Sequence, residues 1–379
     1  MRIVFWGTYD TGKPRNRILL RGLRENKIDL TECHADIWSG VEDKSQIRTL
    51  AKKILFLCRW LLSYPGLLFD FCRLPKHDAV IVGYLGQLDV LILWPFARMR
   101  RIPIVWDAFL SLYDTVVNDR KMVGKYHPLA LLLYMWEWLA CRAADSILLD
   151  TQAHADYFVR QFHLPSHKTF AVFVGAETDV FSESPSESPV IKDNNQFTVL
   201  FYGQFIPLHG IETIINAARL MTDDPVQWII IGQGQEEEKI RAMLDESPIP
   251  LLQWIPWVDY RELRQWIQRS DLCLGIFGES GKATRVIPNK VFQVLAAGKP
   301  ILTRDSPAIR ELLDPDMAGV TLVPPANPSA LAAGIREISG SKRTSHVIFH
   351  RETVERLSAQ KLAKELLNKV EQITKPGDV

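Results

Sequence analysis

What this chain lacks narrows its possibilities first. Its five cysteines, Cys33, Cys58, Cys72, Cys141 and Cys273, are scattered, and no two form a C-x-x-C. An odd, unpatterned set excludes a disulfide framework and suits reduced thiols in a cytoplasmic compartment. An excess of one charge is also missing. Lys plus Arg number 45 against 44 Asp plus Glu, a formal net charge of +1, which removes any global electrostatic case for a nucleic-acid partner. No His and carboxylate residues cluster at metal-ligand spacing, so no metal is expected. The longest apolar run, 54–71, is interrupted by Arg59, Pro65, Gly66 and Asp70, so no transmembrane helix is expected. The N-terminus MRIVFWG runs straight into a strand and lacks the layout of a signal peptide, which fits a cytoplasmic chain.

What remains is a globular α/β protein. Hydrophobic residues at 47% against 23% charged exclude a disordered chain, and 379 residues exceed one ordinary core, so two domains are expected. Short apolar runs alternate with segments of helical period, the pattern of βαβ units and parallel sheets. In the first half, strands are expected at 3–6, 79–82, 102–106, 147–149 and 170–174, and helices at 18–24, 47–62, 129–143 and 153–162. A polar, Ser- and Pro-rich stretch over 182–196 reads as a linker. Beyond it, strands are expected at 198–202, 228–231, 251–255, 272–275, 301–303 and 321–323, and helices at 211–221, 236–245, 261–269, 288–297 and 328–338. Leu362, Leu366, Val370 and Ile373 keep near-helical spacing in the tail. The domains expected are therefore 1–181, a linker 182–196, 197–345, and a helical tail 346–379. Ligands of open α/β sheets sit at the carboxyl ends of strands, which places the site in a cleft between the two halves.

Glycines follow three apolar strands: Gly7 after IVFW, Gly203 after TVLFY, and Gly232 with Gly234 after WIII. Such a glycine lets a ligand phosphate approach the backbone, or simply makes a tight turn. None completes G-x-G-x-x-G, which argues against an NAD(P) enzyme. The segment 278–300, GESGKATRVIPNKVFQVLAAGKP, carries more information. Lys282, Arg285, Asn289 and Lys290 crowd the loop and first turn before an apolar helix. Cations and free N–H groups at a helix start make an anion site suited to a diphosphate, with a solvated basic loop as the plainer alternative.

The runs FYGQFIPLHGIETIINAARLM, WIIIGQGQEEEKI, LLQWIPWVDYRELRQWIQRSDLCLGIF and IPNKVFQVLAAGKPILTRDSPAIREL together resemble the retaining, family-4-like group-1 glycosyltransferases of GT-B fold. VGAETDVF at 174–181 and VWDAFLSLYDTVVNDR at 105–120 look like that family's interdomain segment and acceptor-side loop. The resemblance implies two Rossmann-like domains with parallel sheets facing across a cleft. It implies transfer of a sugar from a UDP- or GDP-linked donor, with retention and no metal or other cofactor, to a glycan or lipid-linked acceptor in surface polysaccharide or glycolipid synthesis. The donor-side candidates are then Gly203, Gln204, His209, Gly232, Gly234, Val258, Lys282, Arg285, Asn289, Lys290 and Gln293, with Gly7 from the first half. The chain departs from the family pattern at four of these positions. Gln204 and His209 stand where an Arg and a Lys grip the diphosphate, Gln293 where a Glu holds the ribose, and Arg285 where a second Glu falls. The motifs GQFIPLHG and VIPNKVFQ thus mark a variant subfamily, with a non-catalytic nucleotide-sugar binder as the alternative. Lys282, Arg285 and Lys290 would carry the phosphate charge, Gln293 can still accept from a ribose hydroxyl, and Glu279 is a candidate substitute carboxylate.

In the first half, Asp107, Asp114, Asp119 and Arg120 follow a strand and are acceptor-side candidates. Asp107 can orient the acceptor hydroxyl or take its proton, or it can cap a helix. Lys290 and Arg285 join Asp107 as the catalytic candidates. Gly7, Thr8 and Arg15 would face the donor phosphates, whereas His127 and His154 are cleft candidates for which a structural role is the simpler reading, and both stay outside the catalytic set. The segment 51–76 mixes apolar bulk, Trp60 and Tyr64 with Lys52, Lys53, Arg59, Arg73 and Lys76, and LILWPFARMRR at 91–101 has the same character. Both suit peripheral contact with an anionic membrane surface, or core-facing helices with basic edges.

Overall fold

A computed structural model describes residues 1–38, 50–182, 196–341 and 348–374, the side chains of 50–53 excepted. The expected linker therefore lies, from 183 to 195, outside the described residues. So do 47–49 of the expected helix 47–62, the Lys52 and Lys53 side chains, and 346–347 and 375–379 of the tail. The chain forms two compact units. The first comprises Met1–Thr115, Val123–Gly175 and Leu357–Val379, and the second Val116–Met122 and Ala176–Arg356.

In the first unit the chain runs β1 (Arg2–Gly7), α1 (Pro14–Glu25), β2 (Asp29–His34), α2 (Leu50–Arg73), β3 (Ala79–Val82), α3 (Gln87–Arg100), β4 (Ile104–Asp107), α4 (Pro128–Ala143), β5 (Ser146–Leu149), α5 (Gln152–Phe162) and β6 (Thr169–Ala171). The strands form one parallel sheet in the order β2-β1-β3-β4-β5-β6. Strands β3, β4 and β5 are buried throughout, which is why they read as unbroken apolar runs. The edge strand β2, DLTECH, is mostly exposed or half-buried and carries polar residues, so its sequence gives no strand signal. Helix α3 appears in the sequence expectation only as the core-facing alternative for 91–101, because Asp89, Pro95 and the arginines Arg98 and Arg100 break its apolar period.

Helix α2 corrects another expectation. It continues unbroken through Pro65 and Gly66, both on its exposed side, where the bond lost to proline leaves a carbonyl open to water. By length and composition alone, Ile54–Arg73 could cross a membrane, and only 17% of that window is buried in the protein.

The second unit contains α6 (Thr178–Phe181), β7 (Phe197–Tyr202), α7 (Ile211–Arg219), β8 (Val226–Ile231), α8 (Glu237–Glu246), β9 (Leu252–Ile255), α9 (Tyr260–Arg269), β10 (Leu272–Leu274), α10 (Asn289–Ala296), β11 (Ile301–Arg304), α11 (Pro307–Leu312), β12 (Val320–Val323), α12 (Pro328–Gly340) and α13 (Arg351–Arg356). Its parallel sheet has the order β12-β11-β10-β7-β8-β9, a doubly wound α/β arrangement. The last helix, α14 (Ala359–Thr374), returns to the first unit and packs on α1. The expected tail is thus split between the units. Contact with α1 is so close that a Cβ on Gly22 would lie 2.0 Å from the Ala359 carbonyl oxygen.

Candidate functional site

In a doubly wound sheet the ligand crevice opens where the strand order reverses, beside the carboxyl ends of the strands there. In the second unit that point lies between β7 and β10. The loop after β7 carries Gly203 and Gln204 into a 3-10 turn, Pro207–His209, and the loop after β10 carries Gly278 into another, Lys282–Thr284, ahead of α10.

Lys290 comes from the first turn of α10. It is 5% exposed, and its Nζ lies 3.8 Å from the centroid of the Phe201 ring without a hydrogen-bond partner among the described residues. Gly203, with φ of 140°, makes room for it: a Cβ there would sit 3.0 Å from Lys290 Nζ and 3.0 Å from His209 Cε1. Burial drives the Lys290 pKa well below its ordinary value, with no carboxylate to offset the cost. His209 is buried beside it. Desolvation first, then the Lys290 charge, hold its pKa well below the usual histidine value. The imidazole is therefore neutral, with Nδ1–H donating to the Gln204 carbonyl and Nε2 left as an acceptor. Helix α10 begins without a side-chain cap and with no acidic residue in its first turn, and the buried Asn289 Oδ1 has no partner among the described residues. Lys282 is also buried, while Arg285 is half-buried and folds toward Gly281.

The stretch Val116–Met122 belongs to this unit and brings two acceptor-side candidates to the same loops. Arg120 Nη2 donates to Gln204 Oε1 at 3.2 Å, and the Arg120 carbonyl accepts from Gln235 Nε2 at 3.0 Å. Ser280 Oγ donates to Asp119 Oδ1 at 2.6 Å; Asp119 is 1% exposed and its Oδ2 has no partner among the described residues. Asp119 and Arg120 thus stand with Gln204 and His209, whereas Asp114, fully buried in a π-helical turn, Asp114–Asp119, belongs to the first unit.

A third group surrounds Gln293. Its Nε2 donates to Tyr260 Oη at 3.1 Å, and that hydroxyl donates in turn to the Glu177 carboxylate. The Gln293 amide oxygen stays an acceptor. Gly232 and Gly234 have a packing reason to be glycine: a Cβ would lie 1.9 Å from the Gly203 oxygen at the first and 2.8 Å from Phe205 backbone at the second. Val258 is half-buried between β9 and α9, and Glu279 is exposed.

The candidates in the first unit are engaged within it. Asp107 is fully buried, and both its oxygens accept from the buried Arg15 guanidinium at 3.0–3.2 Å. Arg15 also donates to the Val172 and Phe173 carbonyls. Burial pushes the Asp107 pKa up against the pull of Arg15. Asp107 is therefore one half of a buried ion pair rather than a helix cap. The turn after Gly7 holds a carboxyl group of the protein's own: Asp89 accepts from Thr8 N, Thr8 Oγ1 and Tyr64 Oη, and a Cβ on Gly7 would lie 2.5 Å from its Oδ2. His127 caps α4 by accepting from Leu129 N, and His154 is buried with Nδ1 2.7 Å from Asp150.

Residues 196–340 match the family model for glycosyl transferases group 1. A protein of Escherichia coli named as a colanic acid biosynthesis glycosyl transferase, WcaI, is 27% identical over 38% of this chain and 36% of its own length. The chitobiosyldiphosphodolichol beta-mannosyltransferase of Kluyveromyces lactis is 21% identical over 66% of this chain and 61% of its own. The chain thus covers less than two thirds of the length of these relatives. Among solved structures, Anabaena HepE in complex with UDP superposes with a TM-score of 0.70 at 12% identity, over 98% of this chain and all of that one. The likeness shows the α/β, two-domain Rossmann-like GT-B fold, and the family match supports a group-1 glycosyltransferase.

Sequence reasoning had missed four residues that hold this site. Ser280 and Glu177 lie inside the quoted motifs GESGK and VGAETDVF, but nothing local says which partner they meet. Tyr260 joins Glu177 to Gln293 only through the fold. Arg304, buried at the end of β11, donates to the Gly278 carbonyl and so anchors the loop after β10. Among the described residues no group of His, Cys, Asp and Glu could hold a metal ion. One Asp-x-Asp, at Asp314 and Asp316, makes a surface turn in which Asp314 Oδ1 accepts from Asp316 N.

Proposed function

We propose that this protein transfers a sugar from a UDP- or GDP-linked donor to a glycan or lipid-linked acceptor, with retention of configuration and without a metal. One observation carries the donor assignment. Lys290 is a buried amine with no hydrogen-bond partner among the described residues, beside a glycine that keeps the adjoining space open. Burial disfavours its protonated form, and a diphosphate oxygen at that position would favour the proton and pair with it. Lys282 and Arg285 add charge from the loop before α10, and the uncapped helix start adds N–H donors. Leaving-group charge would be stabilised there as the glycosidic bond breaks. Gln293 would accept from a ribose hydroxyl, and Asp119 with Arg120 would stand on the acceptor side. The names of the relatives suit surface polysaccharide or lipid-linked glycan synthesis. A peripheral membrane contact through 51–76, at the cytoplasmic face, would bring such an acceptor within reach.

The alternative, a nucleotide-sugar binder without turnover, draws on Asp107, whose oxygens are both held by Arg15. Thermal-shift titration with UDP, GDP, ADP and CDP, followed by donor-turnover assays, tests both readings. Stabilisation by UDP or GDP that disappears in Lys290→Met supports the donor site. Stabilisation that survives this substitution sinks the assignment of Lys290, and binding without turnover on any acceptor favours the binder.

A further inference from the structure

Helices α2, α3 and α4 lie side by side, α2 against α3 and α3 against α4, over one core cluster. Each buries a stripe there: Tyr64 and Phe71 from α2, Leu93 and Ala97 from α3, Ala140 and Cys141 from α4. A helix on a water-soluble surface then turns polar residues outward. These helices turn outward apolar ones. On α4, Leu131 and Leu132 are 63% and 62% exposed, with Met135 and Leu139 continuing the row. On α2, Leu55 and Leu62 are 70% and 77% exposed, seven residues apart, and Phe69 follows after another seven. On α3, Trp94 and Met99 are exposed.

The charges on this face have one prevailing sign. Arg59, Arg73, Arg98 and Arg142 are exposed on the three helices, Arg98 with its Nη2 3.6 Å from the half-buried Asp145 carboxylate just beyond α4, and Asp70 is the helices' one exposed acid among the described residues. The other acids point inward. Asp89 holds the Thr8 turn, and Glu137 accepts from Ser111 Oγ and the Leu112 and Tyr113 N–H groups. Arg73 lies 3.8 Å over the Phe69 ring, and Arg142 5.0 Å over Trp138, so each cation rests on apolar surface as it would between acyl chains and headgroups. Although α2 is apolar enough to cross a bilayer, it is tied down. Trp60 Nε1 donates to Thr8 Oγ1, Tyr64 Oη to Asp89, and Trp6 Nε1 to the Leu67 carbonyl. Crossing would break all of these bonds.

We propose that α2, α3 and α4 dock flat on an anionic phospholipid bilayer, their apolar rows entering the acyl boundary and their arginines meeting the phosphates. The inference rests on the membrane contact proposed above for 51–76 and extends it from one segment to a three-helix face that includes 129–142.

Co-sedimentation of the full chain with vesicles of phosphatidylcholine, alone or mixed equally with phosphatidylglycerol, tests it. Binding is expected on the mixed vesicles, weakening with salt, and Arg98→Ala with Arg142→Ala should lower it by about fivefold per residue. Leu131→Glu with Leu132→Glu should reduce it at least as much while leaving the melting transition in place. If the α4 pair binds like the wild type while Leu62→Glu does not, the three-helix face fails and the contact through 51–76 stands. If no variant or lipid matters, or sedimentation velocity shows the face covered in a dimer of this chain, both fail. Hydrogen exchange of the wild type supplies a check independent of folding defects. Vesicles should protect α2 and α4 but not α14, and unchanged α4 exchange overturns the proposal.

Discussion

At the residue scale the donor site depends on protons as much as on positions. The Lys290 pKa is depressed by burial, so the free protein gains stability as pH rises from that depressed value toward the ordinary 10.5, where the unfolded chain loses the same proton. Phosphate binding has the opposite preference, because only the protonated amine pairs with it. We therefore expect nucleotide affinity to fall as pH rises through the depressed pKa, by at most about tenfold per pH unit, with proton uptake on binding. Calorimetry in buffers of different ionisation enthalpy measures that uptake, and Lys290→Met should abolish it. Gln293 invites a second test. The Tyr260 hydroxyl gives its proton to Glu177, so position 293 must supply a donor to the tyrosine oxygen. A Glu there, as in the family pattern, would set two carboxylates on one hydroxyl. Gln293→Glu should cost about 1–3 kcal/mol of stability, largely recovered in the double variant with Glu177→Gln. Additive effects in denaturant titrations would show that the three groups do not act together.

At the scale of elements, the glycine loops and the closing helix are governed by contact distance. Gly22 lets α14 lie on α1, since a side chain there would meet the Ala359 oxygen at 2.0 Å. Gly22→Ala should therefore loosen α14, costing about 1–3 kcal/mol by overpacking. Faster hydrogen exchange confined to α1 and α14 would be its signature, and unchanged exchange in α14 would contradict the packing argument. Some of these elements were legible in sequence and some were not. Buried strands such as β3 and β5 announce themselves as apolar runs, whereas β2 does not, because an edge strand needs few apolar residues. Helix α2 was misread for a related reason. Its Pro65 and Gly66 lie on the exposed side, where they do not interrupt the packed stripe.

At the scale of the whole molecule, the chain divides into two compact units, each with its own parallel sheet and switch point, and the nucleotide is assigned to one of them. A ligand that binds only the native state stabilises by mass action, about 2.7 kcal/mol at a hundredfold excess over Kd. UDP or GDP should accordingly slow exchange in β7, β10 and α10 while leaving the β1 and β3 amides of the first unit at their free rates. Equal protection in both units would argue that the first unit contributes donor contacts of its own. Removing 357–379 should destabilise the first unit selectively, because α14 belongs to it and not to the unit that precedes it in the chain.

The sequence by itself determined the α/β class, the two-part organisation and the basic segment ahead of α10, because periodicity, apolar runs and clustered charge are local properties. Tertiary structure alone decided what those charges meet. It left Lys290 without a hydrogen-bond partner among the described residues and tied Asp107 to Arg15, 92 residues away. It brought Asp119 and Arg120 to loops of the second unit, and it returned the last helix to the first. A carboxylate looks the same in sequence whether it faces a substrate or a buried guanidinium; only the partner brought to it by the fold distinguishes the two.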